Sequence, residues 1–208
     1  MTSIFDPKEQ SENIDFKILA GLERISRVFR TLLWDVSKDV NLSPIQIQFL
    51  TYLLFNPPQR CRITDIANEF NLTKATVSDA ISSLEIKNLI SKIESKDDKR
   101  SYIIKLTPKG RKVAGQISSW ADALKDSLKK FNKEEKETIL TFIFKLIESL
   151  YNAGIITLQR MCFSCAYFQK NAHPDSDSPH HCNFLNKPLS IVELRLDCED
   201  YVSISNEE

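Results

Sequence analysis

Between Phe16 and Val36 the apolar residues fall at Phe16, Leu19, Leu22, Ile25, Val28, Phe29, Leu32, Leu33 and Val36. Intervals of three and four put these side chains on one stripe of a helix. The chain is therefore expected to open, after a flexible N-terminus at 1–12, on a long amphipathic helix. "NLSPIQIQFLTYLLF" predicts a second helix. Ser43 is a suitable N-cap, Pro44 stands where its missing N–H costs nothing, and Gln46 can close a capping box. "NPPQ" at 56–59 ends that helix, because proline cannot continue the ladder. The "RCRI" that follows predicts a short extended piece, with Cys61 as a small buried hydrophobe in a strand.

The stretch 64–90, "TDIANEFNLTKATVSDAISSLEIKNLI", divides into a short helix from Thr64 to Phe70, a turn at Asn71–Leu72, and a helix from Thr73 to about Lys87. Ile66, Ala67, Phe70, Leu72, Val77, Ala80, Ile81 and Leu84 form its inward set. Outward on the second helix remain Thr73, Lys74, Ala75, Thr76, Ser78, Asp79 and Ser82, a small and polar face. "LISKIES", "KDDKR" and "SYIIKLT" read as strand, charged turn and strand. A helix then starts at "TPKG", capped by Thr107. A last one, capped by Asn132 with Glu135 at N3, is expected to run to about Leu158. Its apolar positions (among them Ile139, Phe142, Ile143, Phe144, Leu146 and Ile147) cover more than one stripe, which asks for burial on several sides and suggests a partner subunit.

Composition changes this picture in two places. Hydrophobic and charged contents of 42% and 27% are ordinary for a globular chain of 208 residues. The N-terminus lacks the basic and apolar regions of a secretory signal, and no apolar run approaches the ~18–20 residues of a membrane span. A cytoplasmic protein without membrane contact is expected. The net charge of zero conceals a split, however. From Lys74 to Lys112 there are ten Lys/Arg against five Asp/Glu, whereas from Gln159 to Glu208 there are four against eight. A local basic zone, rather than the total, attracts phosphates. The second change is chemical. Four glycines, no phosphate-binding glycine loop, no paired acid and base and no nucleophile motif argue against an enzyme.

Helix–turn–helix followed by a charged two-stranded hairpin is a winged-helix arrangement. Its second helix suits the major groove of duplex DNA, where small polar side chains reach base edges and N-terminal amides meet phosphate. Lys96, Lys99 and Arg100 at the hairpin tip can reach backbone or minor groove. In "LSPIQIQFLTYL", "LTKATVSDAISSLEIKNLI" and "SKDDKRSYIIKLTPKG" the chain resembles the multiple-antibiotic-resistance regulator (MarR) family of bacterial repressors, over roughly residues 13–158. The resemblance implies a homodimer joined through its first and last helices, a near-palindromic double-stranded DNA operator, and an Asp98 that braces Arg100 in the minor groove. Two positions depart from the family pattern. Asn88 replaces a usual glycine but tolerates left-handed backbone. Lys92 replaces a common arginine and would keep a phosphate contact without its bidentate form.

The tail, 159–208, holds four of the five cysteines, spaced as Cys162-x2-Cys165-x16-Cys182-x15-Cys198. In a reducing compartment such clustering reads as metal binding. A structural zinc ion would use all four thiolates tetrahedrally, and a 4Fe–4S cluster would use the same four. Four unconnected thiols are the remaining reading. One CxxC with two widely spaced cysteines and neighbouring aromatics (Phe163, Tyr167, Phe168, Phe184) resembles the ligand pattern of high-potential iron–sulfur proteins, and the pattern favours the cluster over zinc. His180 and His181 directly precede Cys182, and one of them could replace a cysteine as ligand, although a histidine beside a ligand more often donates to it or faces solvent; His173 reads as loop. A thioredoxin-like role for "CFSC" lacks the βαβ context it needs.

The expected fold is mainly α with a small β wing: a winged helix–turn–helix dimer at 13–158 carrying a four-cysteine metal module at 159–208. The expected function is transcription regulation, most readily repression, modulated at the cysteine centre by a redox or small-molecule effector. Two alternatives stand beside it. One is a regulator sensing a small aromatic ligand with a purely structural zinc. The other is an iron–sulfur electron carrier or enzyme.

Overall fold

A computed structural model describes residues 3–94, 102–156 and 160–204. These form two compact units. One comprises the chain to Ile66 together with Thr73–Ser127; the other comprises Ala67–Leu72 together with the chain from Leu128. The secondary structure is mainly helical, with small antiparallel sheets.

In the first unit, α1 (Pro7–Glu12) is a short helix within the stretch expected to be flexible. Asn13 ends it and caps α2 (Ile14–Val40), accepting the N–H groups of Asp15 and Phe16. α2 closes on Asn41 in the left-handed conformation. Its successor α3 (Pro44–Phe55) has the predicted capping box: Ser43 Oγ accepts the Gln46 N–H, and Gln46 Oε1 accepts the Ser43 N–H. Gln46 is buried, and its amide Nε2 reaches Ser83 Oγ at 2.9 Å. Burying an amide is tolerable only with such partners.

After the proline turn Pro58–Arg60, Cys61 is not in a strand as expected; the turn coils the backbone there. Its carbonyl accepts the Ile104 N–H at 2.8 Å. α4 (Ile63–Glu69), whose last three residues belong to the second unit, and α5 (Lys74–Ile86) lie within one residue of the predicted bounds. Asn71 between them adopts a φ of 51°. β1 (Ile90–Glu94) and β2 (Tyr102–Leu106) pair antiparallel, with Ile90 opposite Leu106. α6 (Pro108–Ile117) begins under this hairpin, where a Cβ on Gly110 would stand 1.7 Å from the Leu89 carbonyl oxygen. Only glycine allows that approach. α7 (Asp122–Leu128) has no counterpart in the sequence reading. Ile47, Phe49, Leu50, Val77, Ile81, Leu84, Ile104 and Ala114 are buried at the centre of this unit.

In the second unit, α8 (Lys133–Asn152) has the expected cap, with Asn132 and Glu135 bonded reciprocally. It ends six residues before the predicted Leu158. Gly154, at φ 69°, turns the chain left-handed, its N–H bonded to Tyr151 O and that of Ile155 to Leu150 O. This pair of bonds is the Schellman stop, which satisfies carbonyls that a continuing helix would have used. Beyond it, β3 (Phe168–Gln169), β4 (His180–Cys182) and β5 (Lys187–Leu189) form a three-stranded antiparallel sheet. Phe144 of α8, Met161, Leu189 and Leu194 make the core, with Phe163 against Phe144 edge-on at 5.3 Å. α8 is thus the wall of the cysteine-bearing tail.

Candidate nucleic-acid interface and cysteine pocket

α5 is amphipathic in the sense the sequence requires. Val77, Ile81 and Leu84 are fully buried, while Thr73, Lys74, Ala75, Thr76 and Asp79 are exposed and Ser78 and Ser82 half-buried. Thr73 caps the helix: its Oγ1 accepts the Thr76 N–H at 3.1 Å and lies 2.9 Å from Thr76 Oγ1. The start of α5 therefore offers a positive helix end, small side chains and one lysine. Nothing bulky on this turn would keep it off a groove floor.

Asn88 adopts φ 56°, as its replacement of a glycine implied. Its carbonyl accepts a bond from Thr107 Oγ1 at 2.8 Å, which ties the end of the α5 turn to the start of α6. Lys92 is engaged within the molecule: its Nζ lies 2.7 Å from Glu85 Oε2. A phosphate contact there would have to compete with that pair. Lys96, Asp98, Lys99 and Arg100 lie outside the described residues.

The four tail cysteines meet at one place. Cys162, Cys165, Cys182 and Cys198 all line a single recess of about 540 Å³, counting space open to solvent. Cys162 and Cys165 occupy a tight turn closed by the Cys165 N–H to Cys162 O at 3.0 Å. Cys182 is brought in by β4, which pairs it with Phe168. Cys198 is fixed by its N–H to Arg160 O at 3.0 Å. Tyr167, Phe168, Phe184, Leu185 and Leu189 supply the apolar wall. Phe163, expected beside the cysteines, packs instead into the core against Phe144 and Phe168.

Two arginines escaped the sequence reading. Arg195 donates its backbone N–H to Cys162 Sγ at 3.2 Å and its guanidinium to Cys198 Sγ at 3.4 Å, with Asp200 3.5 Å from the same nitrogen. Arg160 ion-pairs with Asp197 at 2.7 Å and with Glu69 of α4 at 2.6 Å, all within the second unit. Burial works against its charge, but Asp197 and Glu69 outweigh that and hold it protonated more firmly than usual. The signal was present in "RMC" and "LRLDC", where a basic residue precedes a cysteine by two or three positions. The partner Glu69, 91 residues away, could not be read.

Burial pushes the Cys162 thiol above its ordinary value, and the Arg195 N–H pulls partly the other way. His180 is buried, its Nδ1 accepting the Asn171 N–H, while His181 meets His173 at 3.1 Å. Neither histidine is among the residues lining the recess. Among the described residues, no three or more His, Cys, Asp or Glu side chains stand grouped so that they could hold a metal ion. Among them too, no helix is long and apolar enough to cross a membrane.

Residues 40–101 match the MarR family. The HTH-type transcriptional regulator BilQ of Clostridioides difficile is 32% identical over 94 residues, 43% of this chain and 62% of that protein. This chain thus spans less than two thirds of that relative's length. The uncharacterized HTH-type regulator YfiV of Bacillus subtilis is 26% identical over 122 residues, 58% of this chain and 76% of that protein. Among solved structures, the Staphylococcus aureus MepR–DNA complex superposes with a TM-score of 0.56 at 26% identity, covering 62% of this chain and 94% of MepR. A MarR protein from Peptoclostridium difficile gives 0.58 at 26%, covering 65% and 88%.

Proposed function

From a MarR-family winged helix at residues 40–101 we infer that this protein is a DNA-binding transcriptional regulator and not an enzyme. The observation that carries the reading is α5: a capped helix start whose outer turn is small and polar and whose opposite face is fully buried. Such a helix can enter a major groove end-on without remodelling. Similarity to MepR, solved in complex with DNA, supports the same use. The regulator acts as a homodimer on a near-palindromic operator and represses until its effector state changes. Exposed Ile25, Val28 and Phe29 on α2 are the surface that the pairing would cover. The four-cysteine recess is the site at which operator affinity is set.

Fluorescence anisotropy on duplexes selected from a random library tests the reading. The protein should retain a palindromic sequence, with affinity falling steeply as salt rises. Lys74→Ala should weaken all duplexes about equally and reduce the logarithmic salt slope by about one. Selection that enriches no duplex would overturn the reading.

A further inference from the structure

We propose that the four-thiol recess is a 4Fe–4S site, and that Arg160 transmits its occupancy to the helix–turn–helix. Three observations bear on the occupant. All four thiols of the tail line one recess, although they arrive from three separate stretches of chain. That recess is walled by Tyr167, Phe168, Phe184 and Leu189. Two N–H donors are already aimed at Sγ atoms, the Arg195 amide at Cys162 and the Arg195 guanidinium at Cys198. Hydrogen bonds to ligand sulfurs and apolar cover are the levers by which a protein holds and tunes a cluster.

Ligation balances without an external oxidant or reductant. A preassembled [4Fe–4S]2+ cluster from a thiol-bearing donor exchanges its ligands one by one. Four Fe–S(Cys) bonds form as the donor's four break, and the protons leaving the four cysteines pass to the departing thiolates or to water. The filled site carries a net charge of −2, beside the Arg195 guanidinium.

The connection outward is short. Cys198 donates its N–H to the Arg160 carbonyl, and the neighbouring Asp197 holds the Arg160 side chain. The same guanidinium holds Glu69, in the last turn of α4, four residues before the cap of the reading helix at Thr73. Arg160 and Glu69 are 13% and 29% exposed along their side chains, so that pair is shielded, while Asp197, at 47%, stands nearer solvent. Emptying the recess frees the Cys198 loop, loosens Asp197 on Arg160, and with it the grip on α4. This transmission rests on the DNA-binding reading; the cluster does not.

The test uses the full chain, purified anaerobically and reconstituted with iron and sulfide. The wild type should turn brown and hold about four iron and four sulfide per chain. Cys162→Ser and Cys198→Ser should each lose the visible absorption, and Cys61→Ala should keep it. A colourless protein with one zinc per chain, or colour that survives Cys198→Ser, overturns the cluster. In anisotropy with the selected operator, the apo protein should bind about tenfold more weakly than the filled one. Arg160→Met should keep colour and iron content but bring that ratio to about one. A ratio of one in the wild type, or an Arg160→Met protein that keeps the wild-type ratio, overturns the transmission and leaves the cluster standing. Brown protein that binds no duplex in either state sinks the regulator reading instead.

Discussion

Cys61 and Cys162 share a side chain and little else. Cys61 is 2% exposed, its Sγ 3.3 Å from the Pro57 carbonyl, and burial with the nearby Asp65 carboxylate pushes its thiol up to about 11. The fold therefore favours the protonated form. Its contribution to stability is complete below the ordinary thiol value of 9.0 and is lost as pH rises from there toward 11. The urea-midpoint difference between wild type and Cys61→Ala should be flat below about pH 9 and shift against the wild type above it. A difference that stays flat to pH 11 would show a thiol in ordinary surroundings. At this scale the sequence was a good guide to identity and a poor one to posture. Cys61 read correctly as a small buried hydrophobe, yet the strand assigned to it fails because Pro57 and Pro58 impose a turn. Asn88 was legible because asparagine tolerates a positive φ, and Asn41, Asn71, Asn171 and Asn186 use the same property in a chain of only four glycines.

Helix starts were read better than helix ends. Ser43, Thr73, Thr107 and Asn132 each cap as their side chains suggest, since capping is a local act between residues three apart. Removing one of these caps has a definite cost. Thr73→Ala should destabilise the protein by about 1 kcal/mol in urea unfolding, and Thr73→Ser should restore most of it. A loss below about 0.3 kcal/mol would mean that Thr76 or water replaces the cap. Ends depend on backbone geometry that composition signals weakly. The apolar pattern runs past Tyr151 toward Leu158, yet Gly154 stops α8 with two local bonds. α7 was missed because its seven residues carry no stripe to detect. The cysteine recess was legible as a gathering of thiols, but not the β-pairing of Phe168 with Cys182 that brings the third one in.

For the molecule as a whole, the unsettled surface is α2. Ile18, Leu19, Ile25 and Val28 stand at least a third exposed along one stretch of helix, where a monomer would normally place charge. The double change Ile25→Glu and Val28→Glu should raise the dimer dissociation constant at least about tenfold by sedimentation velocity, because buried apolar anchors dominate such interfaces. A wild type that sediments as a single chain at micromolar concentration would contradict the dimer outright.

Phe144 has no exposed surface, and its buried neighbours in the core all come after it in the chain: Met161, Leu189 and Leu194. The stretch from Met161 to Leu194 is consequently no detachable ornament. A nascent chain paused at the end of α8 would present this helix bare, and only when the remaining residues emerge can that side close. Synthesis order makes α8 dependent on residues 161–194, so a chain cut off before Met161 would be an adhesive fragment rather than a shorter working protein.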